Sequence, residues 1–194
     1  LTMDPIAEIN YGESVGDFKI THQGSQLKMP TLTQSDFQID GATYTNGHLN
    51  AGTYKVELTS DAMLEIADAN KNYAFELSTF PTGTLVVNQK KATITVNNQT
   101  KAKGESDSDM TVKTTGVLDG DAANLKYTIN RDPGEDVGTY TETITMGDNP
   151  NYDFTTVNNG TLTITNAVAP GTVRIVAIPA TYGVITQDTS DWQY

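Results

Sequence analysis

One set of short motifs occurs twice in the same order, and this limits the fold more than any other feature of the chain. Gly52-Thr53-Tyr54 returns as Gly138-Thr139-Tyr140, and Asn72-Tyr73 returns as Asn151-Tyr152. Gly83-Thr84-Leu85-Val86-Val87 returns as Gly160-Thr161-Leu162-Thr163-Ile164. An opening signature repeats too: Tyr11-Gly12-Glu13-Ser14, then Lys103-Gly104-Glu105-Ser106, then a looser Tyr182-Gly183-Val184. The spacing gives a unit of roughly 80–90 residues, the size of a small domain and far longer than a solenoid repeat. One module is therefore expected twice, over 1–88 and 89–167, joined by a short connection around Asn88–Lys91. Residues 168–194 read as the start of a third unit or as a C-terminal strand extension.

Alternation of apolar and polar residues marks half-buried strands. In the first unit it predicts Ile6–Ile9, Phe18–Thr21, Phe37–Ile39, Thr53–Leu58, Tyr73–Leu77 and Gly83–Val87. In the second it predicts Ala92–Val96, Met110–Thr114, Leu125–Ile129, Thr139–Met146 and Leu162–Thr165, with the Asn-Tyr motif opening a further strand. Asp119-Gly120, Asp132-Pro133-Gly134 and Asn158-Asn159-Gly160 supply the turns between them. One helix breaks the pattern. Met63, Ile66 and Ala67 share a face of Ser60–Ala69, Ser60 suits an N-cap, and Asn70 suits a stop. It accounts for the longer gap between the GTY and NY motifs of the first unit. A helical turn is expected at Val117–Ala123 of the second. The fold class is mostly β: tandem small β-sandwiches of immunoglobulin-like type, the first with one short helix. A β-grasp arrangement is the alternative, because a sheet on one helix would bury the same faces.

Charge and composition exclude several functions. Of 194 residues, 24 are acidic and 12 basic, for a net charge of −12. No Lys/Arg cluster is present, so neither nucleic acid nor an anionic membrane surface is an expected partner. No apolar run is long enough to span a bilayer. The absence of Cys removes disulfides, thiolate metal sites and cysteine nucleophiles. The chain opens mid-pattern at Leu1 without a signal peptide and reads as a piece of a longer protein.

The repeated residues resemble the MBG-type repeats of Gram-positive surface adhesins, found in mucus-binding proteins of lactic acid bacteria. The resemblance rests on Asn50-Ala51-Gly52-Thr53-Tyr54, Leu64–Tyr73 and Gly83-Thr84-Leu85 in the first unit. In the second it rests on Arg131–Tyr140, Asn149-Pro150-Asn151-Tyr152 and Gly160-Thr161-Leu162. The second unit departs at Ala102-Lys103-Gly104, where Tyr would precede Gly. The resemblance implies an extracellular protein anchored to the cell wall, built of non-catalytic modules and adhering to mucin or another host glycoprotein. It supplies no ligand site. Binding of immunoglobulin or another host protein, and a stalk that only displays a distal binding domain, are the competing expectations. Neighbouring repeats of the same chain are expected partners in either case.

Candidate chemistry is sparse. Asp119, Asp121, Asp132, Glu135 and Asp136 lie in acidic loops that could give calcium its six to eight oxygens, though Asp serves turns more often. Glu105, Asp107 and Asp109 alternate in a further acidic loop. No other cofactor is expected. Gly12-Glu13-Ser14-Val15-Gly16 has the letters of a nucleophile elbow, but Asp17–Thr21 alternates like a strand where a helix is required. His22 and His48 lie in polar loops and read as solvated, so no enzyme activity is expected. Lys55 and Lys126 are candidates for a Lys–Asn cross-link, with a lysine on an outer strand face as the plain alternative. Tyr44, Tyr127, Trp192 and Tyr194 could stack on sugars. A surface of this charge is repelled by sialylated or sulfated mucin at neutral pH, so any such binding should strengthen toward the pI near 4.3.

Overall fold

The computed structural model describes residues 1–167. Unit 1 holds β1 (Thr2–Met3), β2 (Ile9–Asn10), β3 (Ile20–Thr21), β4 (Phe37–Ile39), β5 (Tyr44–Thr45), β6 (His48–Leu49), β7 (Gly52–Leu58), α1 (Ser60–Ala69) and β8 (Gly83–Asn88). Its main sheet runs β2-β8-β7-β4, with β2 parallel to β8 and the other pairs antiparallel. Val56, Leu58 and Leu85 of this sheet pack with Ala62 and Ile66 from the apolar stripe of α1. A separate pair, β1 with β3, and a tight β5–β6 hairpin complete the unit. The hairpin turns through Asn46 and Gly47 at φ 48° and 83°, the left-handed pair that a two-residue hairpin requires.

Unit 2 holds β9 (Lys90–Val96), β10 (Gln99–Ala102), β11 (Val112–Thr115), β12 (Tyr127–Arg131), β13 (Gly138–Met146), β14 (Tyr152–Asn158) and β15 (Gly160–Thr165). They form two sheets, β11-β9-β14 and β10-β15-β13-β12. Ile94 and Val96 of the first sheet meet Ile144 of the second, with Val112, Tyr127, Ile129 and Phe154 around them. This is a small β-sandwich in which alternate side chains of facing strands make the core.

The two units share a register. Gly52, Tyr54 and Val56 face Val87, Leu85 and Gly83 as Gly138, Tyr140 and Glu142 face Ile164, Leu162 and Gly160. The shared side-chain bonds follow. Tyr54 donates its hydroxyl to the Asn50 carbonyl at 2.8 Å, and Tyr140 does so to Asp136 at 2.9 Å. Glu13 accepts the Asn10 N–H at 2.7 Å, and Glu105 the Ala102 N–H at 2.9 Å. Asn70 holds the backbone of Lys28 as Asn149 holds that of Lys126. The repeated glycines thus serve turns, and Tyr54 and Tyr140 brace the loops before their strands, whereas the repeated Tyr73 is half exposed.

Several elements differ from the sequence reading. Tyr73–Leu77 forms no strand; a 3-10 turn occupies Leu77–Thr79 instead. The helix is capped by Thr59, whose side chain accepts the Ala62 N–H at 3.3 Å, so Ser60 is its first residue. Val117–Ala123 yields only a 3-10 turn at Ala122–Asn124. Ile6–Ile9 shortens to Ile9–Asn10, and Leu125–Ile129 shifts to Tyr127–Arg131. The β5–β6 hairpin and β10 carry too few apolar residues to show alternation, so the sequence pattern predicts neither. Only Gln89 separates β8 from β9, so one strand passes almost directly into the next unit.

Candidate functional site

The described residues bring chemistry together in two places. The first is the joint between units. Ten positions separate Gly116 from Lys126, where four separate their counterparts Gly24 and Lys28. The extra loop carries Leu118 and Asp121 into unit 1. Asp121 is buried, and its Oδ2 accepts the hydroxyls of Tyr11 at 2.8 Å and Tyr152 at 2.6 Å. Its Oδ1 accepts the side-chain amide of Asn46, at the hairpin tip of unit 1. Tyr152 also accepts the Leu118 N–H at 3.0 Å. The Tyr11 ring meets Tyr152 and His48 edge-on, at 5.5 and 5.9 Å between centroids. Nearby, Asn151 accepts the Ala51 N–H and donates to Asn50, both at 2.9 Å.

Two positions show how closely the joint is fitted. Gly12 has φ 92°, and a Cβ there would lie 2.6 Å from Leu118 Cδ1. Burial alone would raise the Asp121 carboxyl, but bonds from Tyr152, Tyr11 and Asn46 together hold it below its ordinary 3.8. Burial, then the Asp121 bond, pushes the Tyr11 hydroxyl up to about 12, and the same causes raise Tyr152. The arrangement is a carboxylate held ionised by neutral donors. A cleft of about 160 Å³ runs beside it, lined in part by Thr45, Lys126, Asn149 and Tyr152. That is below the roughly 300 Å³ at which small-molecule sites begin.

The second place is the far end of unit 2. Ile9 pairs with Val87 as Lys101 pairs with Ile164, and Ile39 faces Val56 as Arg131 faces Glu142. Counting from the shared glycine and tyrosine bonds, Val15 corresponds to Asp107 and Leu49 to Glu135. Five apolar positions of unit 1 are therefore charged in unit 2. Lys101, with a side chain 6% exposed, reaches Asp107 and Glu135 at 2.5 Å each. Arg131 binds Asp107 at 2.8 Å and Glu135 at 2.5 Å, and lies over the Tyr140 ring. Glu142 is 1% exposed and its Oε2 has no hydrogen-bond partner among the described residues. Burial, with the Asp107 charge adding to it and Arg131 opposing, raises its pKa above the ordinary 4.5.

The residues singled out from sequence scatter. Asp121 belongs to the joint, while Glu135 and Asp136 are paired with Lys101 and Lys103. Asp119 and Asp132 are exposed, and no group of three or more acids or histidines among the described residues could hold a metal ion. Glu105 caps a turn and Asp107 joins the charged cluster. Tyr44 is exposed on the β5–β6 hairpin, and Tyr127 is half-buried against the sandwich core. Trp192 and Tyr194 lie outside the described residues. Ser14 sits in an exposed turn with no helix after it. His22 is exposed, whereas His48, read as solvated, packs on Tyr11 because the hairpin folds over the joint. Lys55 lies on the outer strand face and pairs with Glu57; Lys126 is exposed and precedes β12 rather than lying in it.

Residues 9–89 match the MBG domain family, and residues 92–163 match the YGX type of MBG domain. The chain belongs to the MBG family. MBG domains are repeats typical of extracellular surface proteins and are not enzymes. No curated protein matches this MBG pair. No helix among its described residues is long and apolar enough to cross a membrane. Within the MBG frame, sequence reasoning missed Lys101, Arg131 and Glu142. Laying Gly138-Thr139-Tyr140-Thr141-Glu142 over Gly52-Thr53-Tyr54-Lys55-Val56 would have exposed the last of them, as an acid in a core position.

Proposed function

We propose that this MBG pair is a rigid spacer in a cell-wall-anchored adhesin, holding neighbouring modules at fixed distance and orientation. The observation that carries this reading is the Asp121 joint, a buried polar contact that unit 2 makes with Tyr11 and Asn46 of unit 1 across a one-residue link. A binding module needs a surface; a spacer needs a joint that does not bend, and a satisfied buried network specifies one geometry. Adhesion to mucus glycoprotein then belongs to the assembled protein, to which the pair contributes reach.

Small-angle scattering of the native chain and of Asp121→Ala tests it. The native profile should fit one elongated shape, and the variant should show a broader distribution of distances. Identical profiles would remove the rigid-joint reading. A second reading, direct contact with mucin or a host protein such as immunoglobulin, draws on Tyr44, a sugar-stacking candidate that is exposed on the β5–β6 hairpin. Retention on immobilised mucin that Tyr44→Ser abolishes would favour it. Retention that grows from pH 7 to 5 would accord with relief of charge repulsion.

A further inference from the structure

The dipeptide Asn-Gly occurs as Asn46-Gly47 and as Asn159-Gly160, and the fold treats the two oppositely. Asn-Gly is prone to self-modification, because glycine has no Cβ to keep its backbone nitrogen away from the asparagine side chain. Asn159-Gly160 is sealed. Its glycine is buried in the β13–β15 ladder opposite Glu142, and a Cβ there would lie 2.7 Å from Val96 Cγ1. The Asn159 side chain accepts the Ile144 N–H at 3.1 Å.

Asn46-Gly47 lies open. Both residues are exposed at the tip of the β5–β6 hairpin, and a Cβ on Gly47 would meet nothing within 4 Å. The Gly47 N–H donates to no backbone acceptor among the described residues. Asn46 is also the one non-glycine residue with positive φ among those described. What restrains it comes from the other unit: its side-chain amide donates to Asp121 Oδ1. While that bond lasts the amide keeps one orientation, and its carbon cannot turn toward the Gly47 nitrogen. The Asp121 carboxylate also opposes the negative charge that develops on the Asn46 side-chain oxygen during attack.

We infer that Asn46 is a deamidation site controlled by the joint, and that its product holds the joint open. When the clamp releases, the Gly47 nitrogen gives its proton to a solvent base and bonds to Asn46 Cγ. The Cγ–Nδ2 bond breaks, and the nitrogen takes up a proton and leaves as ammonia. Water then opens the succinimide at either carbonyl, leaving aspartate or isoaspartate at position 46. Aspartate sets a second carboxylate against Asp121, where like charges oppose closure. Isoaspartate also lengthens the main chain of a two-residue hairpin, whose register depends on loop length. The site uses the same joint as the spacer reading but not the spacer role. Residue-resolved mass reports the clamp, whereas scattering reports the shape, so each can fail without the other.

The experiment holds the native chain and Asp121→Ala in mildly alkaline buffer for days and maps peptides by mass, each event adding about 1 Da. Conversion at Asn46 should run roughly tenfold or more faster in the variant, because modification of an opened form follows its population. Asn159 should stay unmodified in both chains. Equal rates at Asn46 in the two chains, or a rate at Asn159 that rises in step, would overturn the control by the joint. A second arm tests the consequence. Asn46→Asp should lower the melting temperature by roughly 4 °C or more at pH 7. Adding Asp121→Asn exchanges donor and acceptor across the contact and should recover most of that loss. An unchanged melting temperature in the single variant, or no recovery in the double, would overturn the claim that the product opens the joint.

Discussion

At the scale of single residues, two buried carboxyls behave oppositely because their surroundings differ. Asp121 receives donors from both units and is held below 3.8, so it stabilises the fold above that pH. That contribution is lost as pH falls through its folded value, and the joint should loosen in acid below about pH 4. Asp121→Ala leaves two tyrosine hydroxyls without their acceptor and should cost about 2–4 kcal/mol by urea denaturation. Asp121→Asn should cost less, since it keeps one acceptor. Glu142 has the reverse sign. Its folded pKa lies above 4.5, so the folded state binds the extra proton and stability falls as pH rises from 4.5 through that raised value. Glu142→Val, which restores the Val56 arrangement, should gain about 1–3 kcal/mol at pH 7. The gain should shrink toward pH 4; a gain that stayed constant with pH would show that the carboxyl is not titrating inside the core.

The elements of the fold were legible wherever burial alternates over several residues. β7, β9, β13 and β15 alternate and were read; β5, β6 and β10 are short or polar and were not. The helix was legible because Met63, Ile66 and Ala67 fall on one face, although Ala62 and Ile66 are the residues it buries; its cap is set by which side chain reaches the Ala62 N–H, and that is Thr59. Thr59→Ala should cost about 1 kcal/mol, and Ile66→Ala, which opens a cavity, about 2–5 kcal/mol. The matched glycines make a sharper comparison. Gly24→Ala meets only the left-handed backbone and should cost about 1–2 kcal/mol. Gly116→Ala must also displace the backbone of Lys91, so its loss should be clearly larger in the same denaturation assay.

At the scale of the molecule, strand pairing stays within units while the core does not. Tyr11, Leu49, Tyr54 and Leu85 of unit 1 share a buried cluster with Ala92 and Tyr152 of unit 2, and Leu118 and Val117 pack against it. The native chain should therefore melt in a single transition. Inserting Gly-Ser-Gly-Ser after Gln89 removes the constraint that keeps the joint closed and should split the melt in two. A single unchanged transition in the insertion variant would mean that the joint holds without its short link.

The sequence by itself determined that one β module is written twice, that its glycines and tyrosines occupy fixed turns, and that it belongs with surface repeats. The first two follow from local rules, period-two burial, left-handed turns and motif order; the last is what the resemblance of those motifs to MBG repeats implies. Only the tertiary structure decided what the charged residues do. Asp121 is three-dimensional in its meaning, since its donors come from residues 46, 11 and 152, and nothing in its own loop distinguishes it from the solvated Asp119. Long-range contacts set whether a carboxyl is solvated, paired or stranded, because the cost of burying a charge depends on every neighbour the fold brings near it.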